Sequence, residues 1–254
     1  MDLIIDGLRE AFSLLRHNDE DVYNIATRSI VVSGTATLIA LVLGVGAGAF
    51  IAFRRFPGRT FALALVNTGM GMPPVVIGLI IAILLWRSGP LGDLGWVYSK
   101  KAMIIAQVII VAPVITGFTA ASLSALPEKL RLQVYALGAS RPQMLWLLLQ
   151  EVRLPLLAAV MAGFGAAISE VGASVMVGGN IAGDTRVLTG AILLEQSRGN
   201  FGAALAFGII LLLMMIAVNV IFTWVQTRQR GDDRQPAGAA RPAPARLSTP
   251  WLPR

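Results

Sequence analysis

The sequence has no cysteine and few charged residues, and both shortages narrow its class. Without cysteine among its 254 residues, it can form no disulfide and can hold no metal through thiolates. Only 14% of the residues are charged, whereas a soluble domain carries about a quarter. The one histidine, His17, lies in a polar stretch and is expected to be solvated. No glycine precedes a lysine, so the motif G-x-x-x-x-G-K-[ST] is absent and ATP hydrolysis by that route is excluded.

Long apolar runs are what the sequence has instead. Hydrophobic residues make up 56% of the chain and fall in unbroken blocks, which is typical of membrane spans rather than of a soluble core. The predicted crossings are residues 30–53, 61–86, 102–123, 154–177 and 201–224. At 1.5 Å per residue each covers roughly 30 Å, the thickness of a bilayer core. We therefore predict an all-α membrane protein with about five transmembrane helices in one membrane domain, residues 30–225.

The second crossing contains its own interruption. Met70, Met72, Pro73 and Pro74 fall near its middle, between glycines. Proline removes a backbone donor and disfavours helix at the residue before it. Freed backbone at membrane depth must be buried in protein or line a cavity, so the break indicates either a translocation path and gate or a packing kink. We expect one broken crossing here and uninterrupted helices in the other four.

Basic residues predict the direction of the chain. One set of alternate loops carries Arg54, Arg55, Arg59, Lys129, Arg131, Arg141, Arg153, Arg228, Arg230 and Arg234, and the other set carries Arg87, Lys100, Lys101, Arg186 and Arg198. Because cytoplasmic loops are richer in Lys and Arg, the N-terminus is expected outside and the C-terminus inside. Residues 1–29 are predicted to form an amphipathic segment at the outer membrane surface. Residues 226–254, rich in Pro, Ala and Arg, are predicted to be a disordered tail.

Glu170 is the charged residue that stands out within an apolar crossing. An intramembrane carboxylate is costly, so it should face the bundle interior or a watery path. Two interpretations remain: a pathway or gating residue, or a structural hydrogen bond between helices. The polar residues that follow on the outer side could meet an external protein or serve only solubility: Asn180, Asp184, Thr185, Arg186 and Thr189.

The loop of residues 124–153 predicts two short helices. The first should begin near Pro127-Glu128 and end at Gly138. The second has Ser140 as its N-cap and Gln143 three residues later, the pattern of a capping box. Its apolar run is too short to span a bilayer, so it requires a partner protein or the base of its own bundle.

This loop resembles the conserved cytoplasmic loop of ABC-importer permeases. Ala136-Leu137-Gly138-Ala139-Ser140 and Val152-Arg153-Leu154-Pro155 carry the likeness. Two departures are visible: Leu132-Gln133-Val134 stands where that family has Glu-Ala-Ala, and Gly138 and Pro155 are about one helical turn farther apart. The resemblance implies that the loop docks on an ATPase, through Ala136, Gly138, Ala139, Ser140, Arg141, Glu151, Arg153 and Pro155.

A second likeness narrows the family. Ser169-Glu170-Val171-Gly172-Ala173 and the following Gly178-Gly179-Asn180-Ile181 resemble permeases for molybdate, tungstate and sulfate, and the stretch up to Thr189 is most similar to tungstate permeases. Ser169, Glu170 and Gly172 are then expected, with the methionine–proline break, on the translocation path or gate.

These resemblances imply a complete system around the chain. They imply the type I importer permease (MetI-like) fold in the cytoplasmic (inner) membrane, with two copies forming one pore. They also imply two ATPase subunits that use ATP and Mg²⁺. An extracytoplasmic binding protein is the implied partner on the outer side, where it could meet the polar loop. No cofactor, metal or nucleic acid is expected on this chain. Permeases for molybdate, vanadate or sulfate are alternatives, and an ion-coupled carrier is a less favoured one, because it needs several intramembrane ionisable residues. A membrane enzyme would need clustered His, Asp or Glu at membrane depth, and a structural or assembly factor is the remaining rival.

Overall fold

The computed structural model describes residues 20–232 together with Ile5 and Ser13, and within this part of the chain there is no strand. In chain order the helices are α1 (Glu20–Phe53), α2 (Arg59–Met70), α3 (Pro74–Leu85), α4 (Lys100–Ser124), α5 (Glu128–Ala136), α6 (Arg141–Glu151), α7 (Arg153–Ser169), α8 (Gly172–Gly178), α9 (Leu188–Ser197) and α10 (Phe201–Asp232), with a 3₁₀ turn at Gly92–Leu94. The predicted all-α class is confirmed.

Helices α1 and α4 pack closely along much of their length. A β-carbon built on Gly44 would lie 2.8 Å from the β-carbon of Ile115, and one built on Gly48 would lie 2.6 Å from that of Thr119. Gly46, on the other face of α1, has open space beside it. Glycines four residues apart on one helix face let two backbones approach, which is how apolar helices associate where lipid removes the hydrophobic driving force.

Three helices are long and apolar enough to cross a membrane: α1, α4 and the part of α10 up to Arg228. Two further candidates are bent pairs, α2 with α3 and α6 with α7, so the described residues hold between three and five crossings by length and composition. The prediction of about five helices lies at the upper end of that range.

The interruption predicted in the second crossing is present and sharp. Helix α2 ends at Met70, helix α3 begins at Pro74, and the two helices are bent by 101°. Pro73 is extended at the N-cap of α3 and Pro74 occupies its first turn, where a missing backbone donor costs nothing. The proline pair therefore ends one helix and begins the next.

The fourth predicted crossing, 154–177, is not one uninterrupted helix. Helix α7 ends at Ser169, and α8 begins at Gly172 after a break at Glu170 and Val171. The carboxylate Oε1 of Glu170 accepts a hydrogen bond from the backbone N–H of Ala173 at 2.8 Å. Because a side chain satisfies an amide in the first turn of α8, a new helix can begin there, and the continuous-helix prediction is wrong.

The two ends of the membrane domain also differ from the predicted bounds. Helix α1 begins at Glu20, with Glu20 and Asp21 in its first turn, where acidic side chains favour a helix N-terminus. Residues 20–29 of the amphipathic segment predicted for residues 1–29 form the first part of α1, and the rest of that segment lies outside the described residues, apart from Ile5 and Ser13. Helix α10 continues to Asp232, and the Arg228 guanidinium lies 3.7 Å from the centre of the Trp224 ring. The first residues of the predicted tail are therefore helical, and the remainder lies outside the described residues.

We expect Gly48→Ala to destabilise the protein by about 1–3 kcal/mol, because the new methyl group overpacks the α1–α4 contact. Gly46→Ala is the matched control, since its methyl group meets nothing and alanine favours helix. Thermal unfolding of both variants in the same detergent measures the difference. Equal melting temperatures for the two variants would contradict the close α1–α4 contact.

Candidate functional site

The breaks in the two interrupted crossings lie against each other. A β-carbon built on Gly172 would lie 2.6 Å from Cγ2 of Val75, and one built on Gly78 would lie 2.6 Å from the α-carbon of Ala173. The first turns of α3 therefore pack directly on α8. The structure brings the methionine–proline break and the Glu170 break, which sequence reasoning treated separately, to one place in the fold.

Glu170 is half-buried and forms hydrogen bonds with both α8 and α9. Its carboxylate accepts the Ala173 N–H, and its backbone carbonyl accepts a hydrogen bond from Oγ1 of Thr189 at 3.1 Å. Thr189 is itself buried on α9. The geometry supports the structural interpretation of Glu170 directly, and it leaves the carboxylate at the point where the helix direction changes.

Gln107, a residue that sequence reasoning missed, spans the same break from α4. Its side chain is 2% exposed, and Nε2 donates to the backbone carbonyl of Ala167 at 3.0 Å and to Oγ of Ser174 at 3.3 Å. One acceptor lies on α7 and the other on α8, so a single amide bridges both helices. The sequence does show an isolated amide in an apolar span, which is a reason to look at Gln107, but it does not show which distant groups the amide would bond.

The other residues predicted on the path lie around these breaks. Met70 and Met72 are 42% and 38% exposed, and Sδ of Met70 lies against Gly117 of α4. Ser169 is exposed, and its hydroxyl donates to the Gly165 carbonyl at 2.7 Å within α7. Soft methionines on the open side of a broken crossing can adapt to what passes them.

Two members of the polar loop predicted to face a binding protein are instead internal. Thr185 is 1% exposed, donates to the Gly178 carbonyl, and accepts the Ile181 N–H at 2.9 Å. Thr189 is 5% exposed and bonds to Glu170. For these two residues the surface interpretation is wrong, because their hydroxyls satisfy backbone groups of an irregular segment that must be paired inside the protein.

The remaining three loop residues are only partly engaged. Asn180 is half-buried and donates from Nδ2 to the Gly190 carbonyl at 2.9 Å. Arg186 is half-buried, and its guanidinium donates to the Asn180 carbonyl at 3.3 Å. Asp184 is exposed and pairs with Lys100 at 3.4 Å. The chain therefore offers Asp184 and part of Arg186 to an outside partner.

Helix α1 holds this loop in place, which the sequence did not reveal. The guanidinium of Arg28 donates to the backbone carbonyls of Arg186 at 2.7 Å and Gly183 at 2.9 Å. The neighbouring Ser29 hydroxyl accepts the Leu188 N–H at 2.9 Å. Residues separated by more than half of the chain thus fix the loop that follows α8.

The two short helices of the 124–153 loop form as predicted. The capping box is present: the Ser140 side chain accepts a backbone N–H in the first turn of α6, and Gln143 Oε1 accepts the Ser140 N–H at 2.8 Å. Gly138 has a φ of +78°, a left-handed conformation that favours glycine and turns the chain between α5 and α6. Leu148 is buried with Leu123 of α4, so one side of α6 is anchored to the bundle.

The other side of this loop carries large apolar side chains in the open. Leu137 is 87% exposed, Trp146 is 64% exposed and Leu147 is 45% exposed. We call these three residues the apolar patch. The predicted docking residues lie along the same segment, and most of them are exposed: Ala136, Gly138, Ser140, Arg141, Glu151 and Pro155. The other two, Ala139 and Arg153, are half-buried. Exposed apolar groups of this size on a loop mark a contact with another protein or with the membrane.

Among residues 20–232 no three His, Cys, Asp or Glu side chains lie close enough to hold a metal ion. The polar groups described above bond chiefly to backbone atoms, so they position helices and loops rather than assemble a reactive centre.

Comparison with known proteins gives relatives over most of the chain. Permease protein TupB of the tungstate uptake system of Peptoclostridium acidaminophilum is 37% identical over 226 residues, which cover 89% of this chain and 99% of that protein. TupB of Campylobacter jejuni is 31% identical, covering 87% of this chain and 92% of that protein. Both alignments include the helix breaks and the 124–153 loop.

Solved structures share the fold at lower sequence identity. A crystal structure of an amino acid ABC transporter with histidines superposes with a TM-score of 0.61 at 14% identity, covering 85% of this chain and 97% of that chain. The MetNI methionine ABC transporter gives a TM-score of 0.56 at 18% identity, covering 82% and 92%. The MetI-like fold expected from the sequence is confirmed.

The family profile settles the class. Residues 40–231 match the family described as binding-protein-dependent transport system inner membrane component. This chain is a multi-pass inner membrane protein and belongs to that family.

Proposed function

We propose that this chain is the permease subunit of an ABC importer and that two copies of it form the translocation pathway for an oxyanion, tungstate. The assignment of tungstate as the substrate rests on sequence identity. The chain is 37% and 31% identical to two tungstate uptake permeases, over most of each chain. The N-terminus lies outside and the C-terminus inside in this proposal, as the loop arginines predict.

Energy enters through a separate ATPase that docks on the 124–153 loop. The apolar patch supports this. Leu148 anchors one side of α6 to the bundle, while Trp146 of α6 and Leu137, at the end of α5, are exposed, as expected of a fixed element that lacks its partner. ATP and Mg²⁺ belong to the ATPase, and this chain binds no cofactor. Two ATPases, one on each copy, close on ATP and move the two bundles between inward-open and outward-open states.

The path runs past the paired helix breaks. Discontinuous helices allow one half to move against the other while backbone groups stay paired. Glu170 serves here as a positioning group, because a bare carboxylate would repel a dianion and its oxygen is already engaged with Ala173. A binding protein delivers the anion on the outer side, where Asp184 and Arg186 are accessible.

Permeases for molybdate, vanadate or sulfate are the alternative within the same class, because the anions share charge and shape. An ion-coupled carrier is disfavoured, since Glu170 is the sole carboxylate at its depth in the described crossings.

We expect loss of this chain to lower tungstate uptake about tenfold or more, with molybdate, vanadate and sulfate uptake changed less than about twofold. Cells with and without the complete system would be supplied with each anion in turn, and intracellular metal or sulfur would be measured. Equal dependence of all the anions would contradict the tungstate assignment while leaving the importer class intact.

We expect Leu137→Asp and Trp146→Asp each to weaken ATPase association about 30-fold, the cost of losing a buried apolar anchor at about 2 kcal/mol. Both side chains are exposed in this chain, so the substitutions should leave its melting temperature unchanged. Lys129→Gln, on the exposed start of the same loop, is the control. Co-purification and a binding titration would measure the association. Equal ATPase binding by all three variants would refute the docking surface.

We expect Gln107→Leu to lower the number of anions transported per ATP about tenfold. The substitution removes the amide bridge across the Glu170 break, and the free energy of one or more hydrogen bonds between uncharged groups corresponds to a change of about that size. Asn219→Leu is the matched control, since the Asn219 amide bonds only to Met215 of its own helix. Uptake and ATP hydrolysis would be measured together in proteoliposomes. An equal effect of both variants would show that Gln107 has no special part in coupling.

A further inference from the structure

A basic cavity lies where the 124–153 loop meets the end of α1. It has a volume of about 660 Å³, and its charged lining consists of four arginines against one glutamate: Arg54, Arg55, Arg59, Arg131 and Glu128. Arg54 and Arg55 directly follow α1, Arg59 begins α2, and Arg131 comes from α5. Three separate elements therefore direct positive charge at one space.

The guanidinium groups keep most of their donors available. Arg59 uses Nε to bond the Ile51 carbonyl at 2.9 Å, and Arg131 lies 4.8 Å from the centre of the Phe53 ring. Among residues 20–228, whose side chains the structure describes, no carboxylate lies within salt-bridge distance of any of the four arginines. Arginine clusters of this kind recognise phosphate and carboxylate groups through paired N–H donors.

An apolar groove opens from the basic cavity and runs along α1. It has a volume of about 460 Å³ and shares Phe53, Arg54 and Arg131 with the cavity. Arg141 of α6 also lines it, and its apolar part extends past Phe50 to Val45. Loop arginines that served only to orient the chain would need neither a common cavity nor a groove. A free oxyanion would use the charged end and leave the apolar length empty.

We propose that this paired cavity and groove is a binding site for an anionic phospholipid, with the phosphate headgroup among the arginines and an acyl chain along Val45 and Phe50. Basic pockets at the membrane surface bind anionic headgroups, and the groove supplies the apolar surface that a lipid chain needs. The proposal rests on the proposed function only in assigning this end of α1 to the cytoplasmic face. Since Arg131 belongs to α5, a bound lipid would also steady the loop on which the ATPase docks.

The test uses the full complex of this chain with its ATPase in nanodiscs of phosphatidylcholine containing graded phosphatidylglycerol. Retained phosphatidylglycerol is counted by native mass spectrometry after release from the discs. We expect the double variant Arg55→Gln/Arg131→Gln to weaken retention of phosphatidylglycerol about 30-fold, because each arginine contributes roughly fivefold. Arg87→Gln, on the opposite set of loops, should retain the lipid as the unchanged protein does.

A second variant separates a lipid from a free anion. Gly46→Leu fills the groove from a position with open space and removes no arginine, so it should fold and still lose retention about tenfold. Unchanged retention in either variant would overturn the proposal. So would displacement of the lipid by millimolar tungstate or inorganic phosphate, which would assign the cavity to a free oxyanion. If the arginine variant kept its lipid and lost the ATPase instead, the cavity would belong to that protein contact. None of these readouts measures transport, so they stand apart from the substrate assignment.

Discussion

The close approach of α1 and α4 is the contact on which the rest of the structure depends. Gly44 and Gly48 let the two backbones meet at Ile115 and Thr119, and this places α4 at the centre of the described bundle. From there α4 also supports α2, since a β-carbon built on Gly69 would lie 2.8 Å from Cγ of Pro113. On its other side it reaches the carbonyl of Ala167 through Gln107. One helix thereby sets the positions of both interrupted crossings.

The backbone rule of membrane proteins explains the form of the candidate site. Each break in a crossing frees N–H and carbonyl groups that no lipid can satisfy. At the second break, Glu170, Thr189 and Gln107 supply the missing partners from three different positions along the chain. Because these bonds hold two short helices rather than one long one, the region is fixed at rest and has a defined place to bend.

Much of this architecture could be predicted from local patterns. The length of the apolar runs predicted the long helices, and the paired prolines predicted the break after Met70. Ser140 with Gln143 predicted the start of α6. The Glu170 break was not predicted in the same way, because no proline interrupts the apolar run there and the bond from the Glu170 carboxylate to the Ala173 N–H is visible only in the structure. Gln107 and Arg28 were missed because their partners are distant in sequence, and hydropathy contains no information on which distant carbonyl an amide will meet. Thr185 was misjudged for a related reason: a polar residue in a loop can be buried when the loop folds back on itself.

The exposure of Leu137 and Trp146 bears on how the cell must handle this protein. An aqueous loop with large apolar side chains is the feature that chaperones and quality-control proteases recognise, and it also drives aggregation. With an ATPase docked on this loop as proposed, an assembled copy hides that feature, and a copy without the partner presents it continuously. The steady-state amount of permease should therefore follow the supply of its partner, so that balanced subunit synthesis is built into the surface chemistry of one short loop.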